Sequence, residues 1–118
     1  MPIDLKRAYD PPATSDGHRI LVDRVWPRGI ARDDLQIDAW LKDLAPSTGL
    51  RKWFGHDPAK WDEFRRRYTV ELEQRSEALG ELAEKARAGH VTLIFSAKDT
   101  EHNNALALKE HLERRLTS

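Results

Sequence analysis

The chain has 118 residues, which suits one domain with a single hydrophobic core. Charged residues make up 34% of it, but 20 basic and 20 acidic side chains cancel, so no overall field attracts nucleic acid or a membrane surface. The absence of cysteine excludes disulfides, thiolate catalysis and cysteine-bound metals. With neither a membrane-length apolar run nor a signal-like N-terminus, the sequence predicts a cytoplasmic protein.

The first half of the chain predicts short strands joined by loops. Ile3–Tyr9 alternates apolar and polar residues before a Pro pair, which is typical of a short strand. His18–Trp26 has a β-branched apolar centre and predicts a second strand. Its exit at Trp26–Gly29 must turn, because Pro27 has no amide to donate. A third short strand is predicted at Ala39–Leu44.

Helices are predicted in the middle of the chain. Ser47 or Thr48 can cap a small helix at Thr48–Phe54, and Asp57 followed by Pro should begin a long one. A second helical segment should follow and end at Gly89. The apolar stripe of the long helix, at helical spacing, comprises Trp61, Phe64, Tyr68 and Leu72.

The apolar run within His90–Asp99 predicts a buried interior strand at residues 91–97, on which the rest of the fold is organised. On one face we expect Leu93 and Phe95, and on the other, beneath helices, Val91, Ile94 or Ala97. A polar loop and a final helix follow. The pattern predicts a small α/β fold with a largely parallel sheet flanked by helices, as a single domain over residues 1–118.

Charged and aromatic residues follow the second and last predicted strands. If these strands are parallel neighbours, their carboxyl ends meet at one edge, where open α/β sheets bind ligands. Guanidinium groups bind phosphate or carboxylate, and Trp rings stack on bases. The residues brought together there would be Asp23, Arg24, Trp26, Arg28 and Gly29 with Ser96, Lys98 and Asp99, and the additions from nearby would be Lys42, Arg51, Lys52 and Trp53. Taken singly, each residue is more typical of a structural role.

Three smaller patterns have competing interpretations. Ser96 and Lys98 have the residue types of a nucleophile pair, but a turn with a surface amine is the favoured interpretation. His56 has the chemistry of a base or metal ligand, whereas its neighbour Asp57 is needed as a helix cap, so a solvent-facing His is favoured. His102 suits a ligand contact and a strand-ending loop equally.

Four segments of the chain have a distinctive combined sequence, namely residues 17–29, 42–47, 50–56 and 92–99, with Asn103-Asn104 after the last. Together they resemble the YeaO-like family of uncharacterised bacterial proteins. The resemblance implies a small α/β domain without an established reaction or substrate. Longer relatives in the broader group carry Cys, Glu and Cys-His-Arg where this chain has Ser96, Lys98 and the Asn103-Asn104 region, which argues against a thiol or metal role. The resemblance emphasises Arg24, Trp26, Arg28, Pro46, Ser47, Arg51, Trp53, His56, Ser96, Lys98, Asp99 and Asn103, and all of these except Pro46 are our candidate ligand-binding residues.

The leading hypothesis is a pocket for a phosphate-bearing or nucleotide-like small molecule. Catalytic residues and a cofactor are not identified by the residues, no metal is expected, and enzymatic activity is left open. The alternative is a nucleic-acid-binding or regulatory module that uses the same cations on an open face extending to Arg65–Arg67. The formal net charge of zero predicts weak nucleic-acid binding without sequence preference, if any, because counterion release needs many clustered cations. A third hypothesis makes the apolar faces an oligomer surface.

Overall fold

A four-stranded parallel sheet organises the protein in the computed structural model, which describes residues 3–117. Its strands in chain order are β1 (Ile3–Arg7), β2 (His18–Leu21), β3 (Ala39–Trp40) and β4 (Val91–Phe95). They lie side by side in the order β1-β4-β2-β3. The predicted interior position of β4 is confirmed, because it pairs in parallel with β1 on one side and β2 on the other.

Five α-helices accompany the sheet, and the predicted α/β class is confirmed. They are α1 (Arg32–Leu35), α2 (Thr48–Phe54), α3 (Trp61–Glu73), α4 (Ser76–Ala88) and α5 (Asn104–Thr117). Single 3₁₀ turns lie at Thr14–Asp16, Lys42–Leu44 and Pro58–Lys60. Within residues 3–117, no helix is both long and apolar enough to span a membrane.

The main core lies between one face of the sheet and helices α2 to α5. Leu93 and Phe95 of β4 belong to the same buried cluster as Phe64 of α3, Leu82 of α4 and Leu108 of α5. Burying large apolar side chains of this kind contributes roughly 1.5–3 kcal/mol each to folding. The helix layer formed by α2 to α5 therefore supplies most of the apolar burial and fixes the position of the sheet that packs on it.

The opposite face of the sheet is covered differently from the prediction. Ile94 packs there with Leu21, and Leu35 of α1 closes over them. Val91 was expected on this face but is buried in the main core with Leu93, because strand residues two apart share a face. Ala97 also packs against the main core rather than on the second face. Loops and the single turn α1, instead of long helices, shield this side of the sheet.

All four strands end earlier than predicted, β1 at Arg7 rather than Tyr9 and β4 at Phe95 rather than residue 97. β2 ends at Leu21 rather than Trp26, because the Asp23 carboxylate accepts a hydrogen bond from the Ser96 amide (2.9 Å) where a backbone carbonyl would continue the ladder. β3 ends at Trp40 because the amide of Leu44 turns back to the Leu41 carbonyl (3.1 Å) in a 3₁₀ turn. Helix α1 was not predicted, since one apolar residue in a single turn gives no periodic pattern.

Helix α2 is placed by its capping residues as predicted, whereas the long helix α3 begins at Trp61, one 3₁₀ turn later than the predicted start after Asp57. α2 has the predicted bounds, since the Ser47 hydroxyl accepts from the Leu50 amide (3.1 Å) and Gly55 ends the helix at φ 55°. The Asp57 carboxylate accepts from the Ala59 amide (3.0 Å) and starts the 3₁₀ turn that leads into α3. These capping contacts place α2 beside the carboxyl ends of β2 and β4.

Candidate functional site

A cavity of about 620 Å³ opens at the carboxyl ends of β2 and β4. The two strands are parallel neighbours in register, with Ile20 opposite Leu93, so the segments that leave them emerge at the same edge. The charged side chains that line the cavity are Asp23, Arg24, Arg28, Arg51, Lys98 and Asp99. This edge is where open α/β sheets commonly bind ligands.

The Asp23 carboxylate joins the ends of the two strands. Its Oδ2 accepts hydrogen bonds from the Ser96 amide (2.9 Å) and the Ser96 hydroxyl (2.7 Å). Its Oδ1 accepts from Asn104 Nδ2 (3.1 Å) at the start of α5. We call this group of three residues, Asp23, Ser96 and Asn104, the Asp23 clip. It holds the cavity wall in place.

Arg24 forms the wall opposite the clip. Its Nε and one terminal nitrogen point to the carbonyl oxygens of Pro46 and Ala45, each at 3.4 Å. Both are long hydrogen bonds to neutral carbonyl oxygens, and within residues 3–117 no carboxylate oxygen lies within 4.0 Å of the guanidinium nitrogens.

The backbone that Arg24 contacts is fixed by α3. Glu71 accepts from the Ser47 amide (2.8 Å) and from the Ser47 hydroxyl (2.6 Å). The buried Tyr68 hydroxyl donates to the carbonyl of Leu44, and burial raises the pKa of Tyr68, which keeps it protonated as a donor. The segment from Leu44 to Ser47 is therefore held rigidly against the helix layer.

Three further cations line the cavity beside Arg24. Arg28, Arg51 and Lys98 are exposed, and within residues 3–117 no carboxylate oxygen lies within 4.0 Å of their side-chain nitrogens. With Arg24 they give four cationic side chains against two carboxylates, although the whole chain has a formal net charge of zero. The cavity therefore carries a local excess of positive charge.

Asp99 shapes the loop at the end of β4. Its Oδ1 accepts from the amides of Glu101 (2.9 Å) and His102 (3.1 Å), and the His102 Nδ1 lies 2.9 Å from its Oδ2. The Glu101 amide, followed by His102, lowers the pKa of Asp99. The buried Asn103 donates from Nδ2 to the Asp99 carbonyl (3.0 Å), and its Oδ1 accepts from the Leu106 amide (2.8 Å) to cap α5. These contacts order the loop that presents Lys98.

Most of the predicted ligand-binding residues line the cavity. Those that do are Arg24, Trp26, Arg28, Arg51, His56, Ser96, Lys98, Asp99 and Asn103. Ser47 and Trp53, which belong to the predicted set, lie outside its lining. Ser47 instead caps α2, and the Trp53 ring lies beneath the cations of Arg67 (4.1 Å) and Lys60 (5.1 Å). Lys42 and Lys52 also lie outside the lining.

The indole of Trp26 is committed to internal contacts. Its Nε1 donates to the Ile30 carbonyl (2.7 Å), and its ring meets Trp40 edge-on with centroids 5.4 Å apart. The Arg32 guanidinium lies 5.5 Å from the ring centroid. Trp26 therefore builds the cavity wall, and base stacking on its ring would require these contacts to rearrange.

Ser96 and His102 both have structural partners within the protein. The Ser96 hydroxyl donates to Asp23 rather than meeting Lys98. His102 lies outside the cavity lining, between Asp99 and the edge of Trp61 (centroids 5.5 Å apart). His56 is exposed at φ 58°. No group of three His, Asp or Glu side chains in residues 3–117 is placed to hold a metal ion.

The apolar floor of the cavity was missed from the sequence. Phe54 of α2 and Phe64 of α3 both line it and stack on each other with ring centroids 4.4 Å apart. Their helical spacing is typical of ordinary core residues, and no separate signal distinguishes a core residue that borders a cavity. Further lining residues outside the predicted set are Tyr9, Val25, Pro27, Ala45, Pro46, Ala97 and Asn104.

Comparison with known proteins identifies the family. The family described as "Inactive DUF488-N3 subclade" matches residues 2–118. The chain belongs to this family. It is 47% identical over 112 residues to the uncharacterized protein YeaO of Escherichia coli, which covers 95% of this chain and 97% of YeaO. It is 39% identical over 113 residues to the uncharacterized protein Rv3073c of Mycobacterium tuberculosis, which covers 96% of this chain and 95% of the relative. No solved structure matches. The resemblance to the YeaO-like family is confirmed for this member of the subclade.

Proposed function

We propose that the protein binds an anionic small molecule in the cavity at the ends of β2 and β4, and that it does so without chemically converting the ligand. The observation that carries the proposal is the set of cations Arg28, Arg51 and Lys98, which share one cavity and have no carboxylate partner within residues 3–117. Like charges gathered in this way repel one another. A bound phosphate or carboxylate would replace that repulsion with charge-assisted hydrogen bonds.

Two observations favour binding over catalysis. The Ser96 hydroxyl, the most obvious nucleophile at the cavity, donates a hydrogen bond to Asp23 within the Asp23 clip. A carboxylate that also accepts from the Ser96 amide and from Asn104 serves to fix the strand ends. The description of the matching family as an inactive subclade agrees with this assignment.

The nucleic-acid alternative is less well supported by the contacts of α3. Arg65 is paired with Asp62 (2.6 Å), and Arg66 and Arg67 are both paired with Glu63 (2.9 Å each). Cations already paired with acids release few counterions on binding a phosphate backbone. The unpaired cations of the cavity thus do not continue into a basic stripe along this helix.

Thermal unfolding with added anions tests the proposal. Wild-type protein should gain stability with inorganic phosphate, sulfate or adenosine monophosphate in a saturable way, by about 2.7 kcal/mol at an anion concentration 100-fold above Kd. Arg28→Ala and Lys98→Ala should lose most of this gain and keep the unfolding temperature of the anion-free protein, because neither side chain forms an ion pair or side-chain hydrogen bond with residues 3–117.

Lys52→Ala is the matched control, since Lys52 is an exposed cation on α2 that lies outside the cavity lining. It should respond to anions as wild type does. A wild-type protein without any anion-dependent shift, or equal losses in Lys52→Ala and Lys98→Ala, would contradict the proposal.

A further inference from the structure

We infer that the ligand is an amphipathic organic anion, with a phosphate or carboxylate group at the cations and an alkyl or aryl body of several carbons on the apolar floor. The inference rests on the proposed anion site and specifies the class of molecule that it takes. It differs from the nucleotide-like ligand expected from the sequence, and the difference comes from the chemistry of the cavity floor.

The floor is built from apolar side chains. Phe54 and Phe64 line the cavity from α2 and α3 and are 5% and 1% exposed. Ala45 and Ala97 contribute further apolar lining, and the half-exposed Val25 lies at the opening. The two rings and Ala45 are largely covered by the protein, so among these groups the apolar surface open to a ligand belongs mainly to the partly exposed Ala97 and to Val25. None of these side chains can form a hydrogen bond with a ligand, so the favourable contact available to them is burial of a second apolar surface.

The size of the cavity also favours a ligand with a body. About 620 Å³ lies within the usual range of roughly 300–1,000 Å³ for small-molecule sites. One water molecule occupies roughly 30 Å³ in the liquid. Inorganic phosphate has five heavy atoms and would therefore fill a minor part of the space and leave the apolar floor in contact with water.

A nucleobase finds few partners in this cavity. The ring of Trp26 already contacts Trp40 and Arg32, and the rings of Phe54 and Phe64 stack on each other. The Ser96 hydroxyl and the Asn104 Nδ2 donate to Asp23 and are not free to read the edge of a base. These rings and these two donors are therefore engaged within the protein, whereas an alkyl or simple aryl body needs neither a stacking face nor a hydrogen-bond partner.

The test is a titration of the wild-type protein with n-alkyl monophosphates from methyl to hexyl phosphate, followed by calorimetry. Each methylene placed on the floor should tighten binding about fourfold, the factor expected for a fully buried methylene group. Adenosine monophosphate should bind no more tightly than butyl phosphate. Equal affinities for methyl and hexyl phosphate would overturn the inference while leaving the anion site intact, and failure of every phosphate to bind would overturn the proposed function itself.

A space-filling variant gives an independent result. Ala97→Leu should occupy part of the floor, so that affinity stops rising at a shorter alkyl chain than in wild type. Val25→Ser changes a residue that is 55% exposed, cannot disturb the core, and should reduce the gain per methylene for the outer carbons. Ala88→Leu is the control, because this exposed residue ends α4 at the opposite edge of the sheet. Wild-type chain-length dependence in both Ala97→Leu and Val25→Ser would overturn the inference.

Discussion

Replacing Asp23 with Ala should loosen the junction between β2 and β4 more than any other single change at the cavity. The carboxylate accepts three hydrogen bonds, two from Ser96 and one from Asn104, at 2.7–3.1 Å. The Ala variant leaves all three donors without this acceptor. It also removes one of the two carboxylates that line the cavity, which leaves four cations facing one acid.

The expected loss follows from these contacts. An unpaired donor costs about 1–3 kcal/mol when it is buried. Because Asp23 and Ser96 are only partly buried, water can reach them and the lower end of that range applies. The free energy of unfolding should therefore fall by about 3 kcal/mol for the three donors together. In a protein of this size such a loss lowers the unfolding temperature by roughly 10 °C.

Chemical denaturation and amide hydrogen exchange measure this effect. The Ser96 amide should exchange much faster in Asp23→Ala than in wild type, while the Leu93 amide in the middle of β4 should change only by the global loss of stability. Asp10→Ala is the control, because Asp10 is exposed and its side chain makes no hydrogen bond or ion pair with residues 3–117. It should change stability by less than about 0.5 kcal/mol.

A double-mutant cycle with Ser96→Ala completes the test. Ser96→Ala removes only the hydroxyl bond and should cost about 1 kcal/mol, whereas adding it to Asp23→Ala should cost almost nothing further. Unchanged stability and unchanged Ser96 protection in Asp23→Ala would refute the account of the clip. So would two losses that simply add.

Two further predictions concern carboxylates that do not belong to the Asp23 clip. Asp16→Asn should lower the free energy of unfolding by about 3 kcal/mol in a urea titration, because it removes the counter-charge of the buried Arg19 guanidinium, which lies 2.6 Å from the Asp16 carboxylate. As the control, Asp62→Asn on the exposed surface should lower it by less than about 1 kcal/mol. Because the Glu101 amide and then His102 lower the pKa of Asp99, its charged form stabilises the fold above the unfolded pKa, and that contribution is lost as pH falls through the folded pKa. Carboxyl NMR should therefore show Asp99 titrating below its ordinary value of 3.8, and the stability difference between wild type and Asp99→Asn should disappear at lower pH; a midpoint at or above 3.8 would contradict this.

The sequence predicts those parts of the fold that local chemistry decides. The unbroken apolar run of Val91–Phe95 predicts an interior strand, because apolar side chains on both faces of a strand are buried only when both faces of the sheet are covered. Ser47 and Gly55 set the bounds of α2, since a hydroxyl cap and a left-handed glycine are the usual ends of a helix. These signals lie within a few residues of the structure that they specify.

The parts that the sequence did not predict depend on distant residues. The end of β2 is set by a bond from Asp23 to Ser96, which lies 73 residues further along the chain. The cavity floor depends on Phe54 and Phe64, whose helical spacing is the same for a closed core and for a core that borders a cavity. The clustering of Arg24, Arg28 and Lys98 was predicted on the assumption that the two strands before them are parallel neighbours, and the structure shows β2 and β4 in that arrangement.

The location of the anion site is the central claim, and an NMR titration of uniformly ¹⁵N-labelled protein with butyl phosphate tests it most directly. Saturable shifts should concentrate at the amides of residues 24–28 and 96–99 and at the side-chain signals of Arg28 and Arg51, and they should be absent in Lys98→Ala at the same concentration. Saturable shifts centred on Arg65–Arg67 of α3, or on the amino-terminal edge of the sheet, would contradict the assignment of the site to the ends of β2 and β4.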